Sequence, residues 1–209
     1  SEFKFGVSVT GTCHPNQILT NRAAVPGDVL LLTKPIGTGV YTTALKRGLV
    51  STEDIEHIVA SMLLLNDGPV RIAKLLGIPA VVHAATDITG YGLLGHLSHW
   101  VRDADIGISL TASQVPLFDG LEALVDQGCV PGGTHANADF TDAFVTGRAL
   151  ISNALWLSLN DPQTSGGLCI ALDPAFAIRF VEQMQEAELN AWIIGAVTST
   201  DTGTISLVV

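Results

Sequence analysis

Ala85-Thr86-Asp87-Ile88-Thr89-Gly90-Tyr91-Gly92-Leu93-Leu94-Gly95-His96-Leu97 is the stretch around which the rest of the chain is read. Upstream, Ile78-Pro79-Ala80-Val81-Val82-His83 has the length and branching of a buried strand. Downstream, Leu93, Leu94, Leu97, Trp100 and Val101 recur at helical spacing, predicting a helix over 93–104. Asp87 thus lies between a strand and a helix, flanked by Thr86 and Thr89. Gly90, Gly92 and Gly95 allow a second backbone or a ligand to come close. Two readings follow. Asp87 is a functional carboxylate at a strand end, where such folds gather their chemistry, or it is the N-cap of the next helix.

A second polar stretch, Asp161-Pro162-Gln163-Thr164-Ser165-Gly166-Gly167, leads into the apolar strand Leu168-Cys169-Ile170-Ala171-Leu172. Its glycines form either a backbone anion nest, with Thr164 and Ser165 donating hydroxyls, or a turn that lets the strand start against a neighbour. Val130-Pro131-Gly132-Gly133-Thr134, closed by Asn137, carries the same ambiguity, with a structural turn favoured.

The other elements follow in order. Alternation over 4–11 reads as a strand, and Val29-Leu30-Leu31-Leu32-Thr33 as a buried one. Lys34-Pro35-Ile36-Gly37-Thr38-Gly39 leads into a helix over 40–47; as a nucleotide signal its Gly-x-Gly is incomplete. A helix follows in two parts up to Leu76, stopping at Gly77, with Asn66 and Asp67 on it. A strand over 106–110, a short helix over 118–126 and a helix over 140–154 come next. An amphipathic helix over 174–188 buries Phe176, Phe180, Val181 and Met184. Strands over 191–197 and 204–209 close the chain. The fold class is α+β, a mixed sheet of four to six strands covered by helices.

Of the 209 residues, 47% are hydrophobic and 14% charged, a composition with ample core. The net charge of −10, from 20 acidic and 10 basic residues, speaks against nucleic acid or an anionic membrane as partner. Cys13, Cys129 and Cys169 form no CxxC pair and are odd in number, which reads as reduced thiols in a cytoplasmic protein. Cys13 beside His14 reads as a loop start rather than a nucleophile, since no orienting carboxylate follows. His96 and His99 share a helix face, but no third ligand stands at a useful spacing for a metal. Ser1-Glu2-Phe3 reads as a cloning scar ahead of an expressed fragment.

Taken together, the Asp87 and Asp161 stretches resemble the selenophosphate synthetase (selenide, water dikinase) family of the aminoimidazole ribonucleotide synthetase superfamily. Gly6-Val7-Ser8-Val9-Thr10-Gly11, Leu31-Leu32-Thr33-Lys34-Pro35-Ile36-Gly37-Thr38-Gly39-Val40 and the Gly132 turn with Asn137 fit the same family. The resemblance implies the C-terminal domain of that fold over 13–209, with 4–12 as the last strand of an absent N-terminal domain. It implies ATP-dependent phosphorylation of selenide to selenophosphate, AMP and phosphate, with Mg²⁺ as cofactor and ATP and selenide as partners. It gives Asp87 as a metal ligand, Thr86, Thr89 and Gly90 as the shape of its loop, and Asn66 as a polar residue facing the site. The nucleophile, its Lys and most ATP contacts fall in the N-terminal half, so no catalytic residue is assigned here and the fragment alone is expected to be inactive. A homodimer through that half is also implied. Two other readings stay open: a related enzyme of the aminoimidazole ribonucleotide synthetase type, or a non-catalytic binding or dimerisation module.

Overall fold

The computed structural model describes residues 6–209. The elements run β1 (Val29–Leu32), α1 (Thr38–Lys46), α2 (Glu56–Leu63), α3 (Asp67–Leu76), β2 (Val82–Asp87), α4 (Gly92–Val101), β3 (Gly107–Thr111) and α5 (Leu121–Asp126). They continue with α6 (Gly132–Thr141), β4 (Val145–Thr146), α7 (Asn153–Leu159), β5 (Leu168–Leu172), α8 (Ala177–Glu186), β6 (Trp192–Thr198) and β7 (Ile205–Val208). The strands form one mixed sheet in the order β2-β5-β1-β6-β3-β7-β4. β2, β5, β1, β6 and β3 pair antiparallel in turn, and β7 joins β3 and β4 in parallel.

Strand alternation divides the core between the two faces. Leu30, Leu32, Cys169 and Ala171 point to one side, where they meet Val40 of α1, Leu93, Leu97 and Trp100 of α4 and Leu121 of α5. Leu31, Leu168, Ile170 and Leu172 point to the other, against Ile72 of α3 and Phe180 and Met184 of α8. All five residues of β5 are buried because helices cover both faces there. Full burial of each large aliphatic side chain contributes about 1.5–3 kcal/mol.

The sheet has seven strands, beyond the expected four to six. The short β4 lies inside the stretch expected to be the helix over 140–154, and that helix does not form. Helix α6 instead begins at Gly132, so the glycine pair opens a helix rather than a turn. Pro131 occupies its N-cap, and Thr134, Ala138 and Thr141 bury one face of it. Beyond β4, Gly147 has φ 77°, a left-handed conformation that a continuous helix over 140–154 does not hold. A Cβ on Gly147 would also strike the Leu207 carbonyl of β7. Ser152 then caps α7, its hydroxyl accepting the Leu155 N–H at 2.9 Å.

Two strand expectations shift as well. β2 begins at Val82, not Ile78: Val81 and Val82 give their N–H groups to Gly77 O, and Pro79 has none to give. Of the strand expected over 4–11, residues 1–5 lie outside the described residues. Residues 6–11 are exposed and join no ladder, so the alternation has no neighbour to pair with.

The buried hydrophobic residues among those described all lie within 13–209, so this stretch is expected to unfold cooperatively, with a native near-UV circular dichroism spectrum. Gradual melting with strong binding of a hydrophobic dye would show that the core needs more chain.

Candidate functional site

Asp87 is the last residue of β2, paired with Leu168 at the start of β5. It is exposed, and among the described residues its carboxylate makes no hydrogen bond or salt bridge. It is not a helix cap: the N-cap of α4 is Tyr91, four residues on. Asp87 is thus a strand-end carboxylate and not the cap of α4. The carboxylate borders a groove of about 650 Å³, with Thr20, Asn21, Thr86 and Val70 among its walls. The Thr20 carbonyl accepts the Ala85 N–H at 3.2 Å, which sets this segment along the outer edge of β2.

The backbone after Asp87 is held at every residue to Gly90. Ile88 N–H donates to Gly167 O at 2.9 Å. Thr89 N–H donates to Nε2 of His96 at 3.0 Å. Thr89 O accepts from Gly92 N–H at 3.0 Å and from Gln163 N–H at 2.9 Å. Gly90 O accepts from Nδ2 of Asn137 at 2.9 Å, and the same nitrogen donates to Asn160 O at 3.0 Å. The exposed carboxylate thus stands beside a stiff frame, an arrangement suited to a ligand whose position must be fixed in advance.

The loop over 161–167 is half of that frame. Gln163 Oε1 accepts from Gly37 N–H at 2.9 Å and from Thr38 N–H and hydroxyl, each at 3.2 Å. Thr164 N–H donates to Thr38 Oγ1 at 2.9 Å. Lys34 is buried, and its Nζ donates to Ser165 O at 2.9 Å and Leu64 O at 2.7 Å, with burial drawing its pKa down. Asn66 Nδ2 donates to Gly166 O at 2.9 Å, so Asn66 braces this loop. Ser165 has φ 52°, a left-handed conformation uncommon for a side-chain-bearing residue. A Cβ on Gly166 would overlap the Ile88 carbonyl oxygen, so this glycine serves the close approach of the two loops. The geometry favours the scaffold reading of this stretch over the nest.

Asp161 is fully buried. Its Oδ2 accepts the N–H groups of Gly39 at 2.9 Å and Val40 at 3.3 Å at the start of α1, and Nε2 of Gln163 at 3.0 Å. Thr134 Oγ1 donates to Oδ1 at 3.4 Å. Burial pushes its pKa up to about 7, against the opposing pull of these donors.

His96, three residues before His99 on α4, faces the loop after Asp87. Its Nε2 is taken by Thr89, and Tyr91 lies 5.8 Å from each ring. Among the described residues no three His, Cys, Asp or Glu side chains converge to hold a metal. Asp87 is an exposed hard-oxygen donor beside an open groove, which fits one ligand of a Mg²⁺ ion whose other ligands are phosphate, water or further carboxylates. The roles of Lys34, Gln163, Asn137 and His96 were missed in the sequence.

The chain belongs to the family of the C-terminal domain of AIR synthase related proteins, whose model matches residues 25–208. Within that class its relatives include the selenide, water dikinases of Pelobacter propionicus, 42% identical over 94% of this chain, and of Geobacter metallireducens, 40% identical over 94%. The chain covers 56% of each of these relatives, so it spans little more than half their length. In fold it resembles the hydrogenase maturation protein HypE of E. coli, with TM-score 0.64 at 18% identity over 91% of this chain and 49% of that one. It also resembles the thiamine-monophosphate kinase of Stenotrophomonas maltophilia, with TM-score 0.52 at 16% identity over 91% and 53%.

Proposed function

We propose that this chain is the C-terminal part of a selenophosphate synthetase, which converts ATP, selenide and water to selenophosphate, AMP and phosphate. The likeness to selenide, water dikinases over nearly the whole chain supports the reaction. The observation that carries the site is Asp87, an exposed strand-end carboxylate, unpaired among the described residues, beside a loop whose backbone is tied at Ile88, Thr89 and Gly90. Asp87 would hold Mg²⁺, which when bound neutralises charge on the phosphate oxygens. Thr86 and the backbone of Thr89 and Gly90 shape the loop, while Lys34, Asn66 and Gln163 hold the loop behind it. ATP, the nucleophile and the remaining carboxylates belong to the part of the relatives that this chain does not match, as does a homodimer contact. Three free cysteines, two of them buried, support a cytoplasmic setting.

This division predicts that the chain alone makes no selenophosphate. With ATP, Mg²⁺ and selenide, phosphorus NMR should show intact ATP, and should show AMP and selenophosphate once the upstream half is supplied. Turnover by the chain alone would contradict the two-part site. Failure of the joined protein to form selenophosphate would contradict the reaction.

A further inference from the structure

We propose that His96 is a positioning residue: as a neutral imidazole with its proton on Nδ1, it pins the Thr89 backbone and so fixes the loop that carries Asp87. The inference rests on the reading of Asp87 as a metal ligand and adds a residue to that site. Thr89 N–H points at Nε2 from 3.0 Å, and an N–H donor needs a lone pair there. The Thr89 hydroxyl oxygen lies 3.1 Å from the same nitrogen. The proton of a neutral ring must then sit on Nδ1, since the bond made by one ring nitrogen sets the state of the other.

The surroundings keep the ring neutral. It is half-buried, and burial lowers its pKa, as does nearby His99, while Asp87 pulls the other way. Tyr91 packs against the ring edge-on at 5.8 Å. His96 is one turn into α4, whose Leu93, Leu94 and Leu97 are fully buried. The imidazole is therefore mounted on a rigid element and reaches back to the loop two residues beyond Asp87. Among the described residues no other side chain bonds the Thr89 N–H. Its carbonyl is held independently by Gly92 and Gln163. Without His96 the Thr89 amide faces a half-buried space with no acceptor, and the peptide after Ile88 is free to turn.

The bond can be seen directly. In the ¹⁵N-labelled chain at neutral pH, Nε2 of His96 should resonate as an unprotonated nitrogen and show scalar coupling to the Thr89 amide nitrogen across the bond. Thr89 should also exchange slowly. In the longer protein, His96→Leu should raise the Mg²⁺ concentration for half-maximal turnover by about tenfold, as is typical when the support of a metal ligand is removed. His96→Gln should restore most of it, because the Gln carbonyl oxygen can accept the Thr89 N–H. Melting curves test whether both variants are folded; if the Leu variant is not, the Gln variant alone carries the kinetic comparison with wild type. A protonated Nε2 without coupling would overturn the proposal, as would equal Mg²⁺ dependence in wild type and a folded Leu variant. Failure of the metal reading looks different: coupling is present, yet Asp87→Asn turns over normally. That result removes Asp87 as ligand and, with it, the purpose assigned to His96.

Discussion

Asp87→Asn in the longer protein is expected to lower ATP-dependent turnover by roughly a hundredfold or more while leaving the melting temperature nearly unchanged. The amide is almost isosteric with the carboxylate and retains one oxygen. It removes the charge that a divalent cation needs beside phosphate groups. Stability should barely respond, because the Asp87 side chain is exposed and bonded to nothing among the described residues. Were Asp87 a helix cap, the Asn variant would still cap through its amide oxygen, changing stability by at most about 1–2 kcal/mol and leaving the chemistry untouched. Tyr91, not Asp87, is the N-cap of α4. Near-normal turnover of the Asn variant at saturating Mg²⁺ would remove Asp87 from the site.

The second large effect belongs to Asp161, where stability changes. Asp161→Ala leaves the N–H groups of Gly39 and Val40, Nε2 of Gln163 and the Thr134 hydroxyl short of an acceptor. Each buried donor left unpaired costs about 1–3 kcal/mol, so a loss of several kcal/mol is expected in urea unfolding. The wild type should also show a pH dependence of definite sign. Asp161 ionises near its ordinary 3.8 in the unfolded chain and at about 7 when folded. Between those values the folded chain holds a proton that the unfolded chain has released. Its contribution is fully present below pH 3.8 and is lost as pH rises through about 7. The decline amounts to a few kcal/mol. Asp161→Asn should abolish this slope while retaining an acceptor for α1. An unchanged slope in the Asn variant would assign the titration to another group.

What the sequence disclosed follows from the range of the interactions involved. β5 was legible residue for residue, because a five-residue apolar run bounded by Gly167 and Asp173 has few other uses. The amphipathic stripe of α8 was equally plain, with Phe180 and Met184 buried as the periodicity required. The place of Asp87 at a strand end was legible because strand, carboxylate and glycines are adjacent in the chain. The frame around it was not. Lys34 meets Ser165 across 131 residues, and Gln163 meets Gly37 across 126. Neither contact leaves a local pattern. Asn137 was read as closing a turn because Gly132 and Gly133 are poor helix formers, yet the buried stripe of Thr134, Ala138 and Thr141 outweighs that preference. β4 was hidden for a similar reason, since its two residues become a strand only through β7.

Asp87 acts as proposed only if a divalent cation sits at it during ATP binding. Mn²⁺ added with ATP to the ¹⁵N-labelled longer protein supplies that measurement, since it broadens amide signals near the bound ion. The amides of Thr86, Asp87 and Ile88, and those of Thr20 and Asn21 across the groove, should broaden first, and Asp87→Asn should abolish the effect. Broadening that spares these residues, or that persists unchanged in the Asn variant, would contradict the assignment.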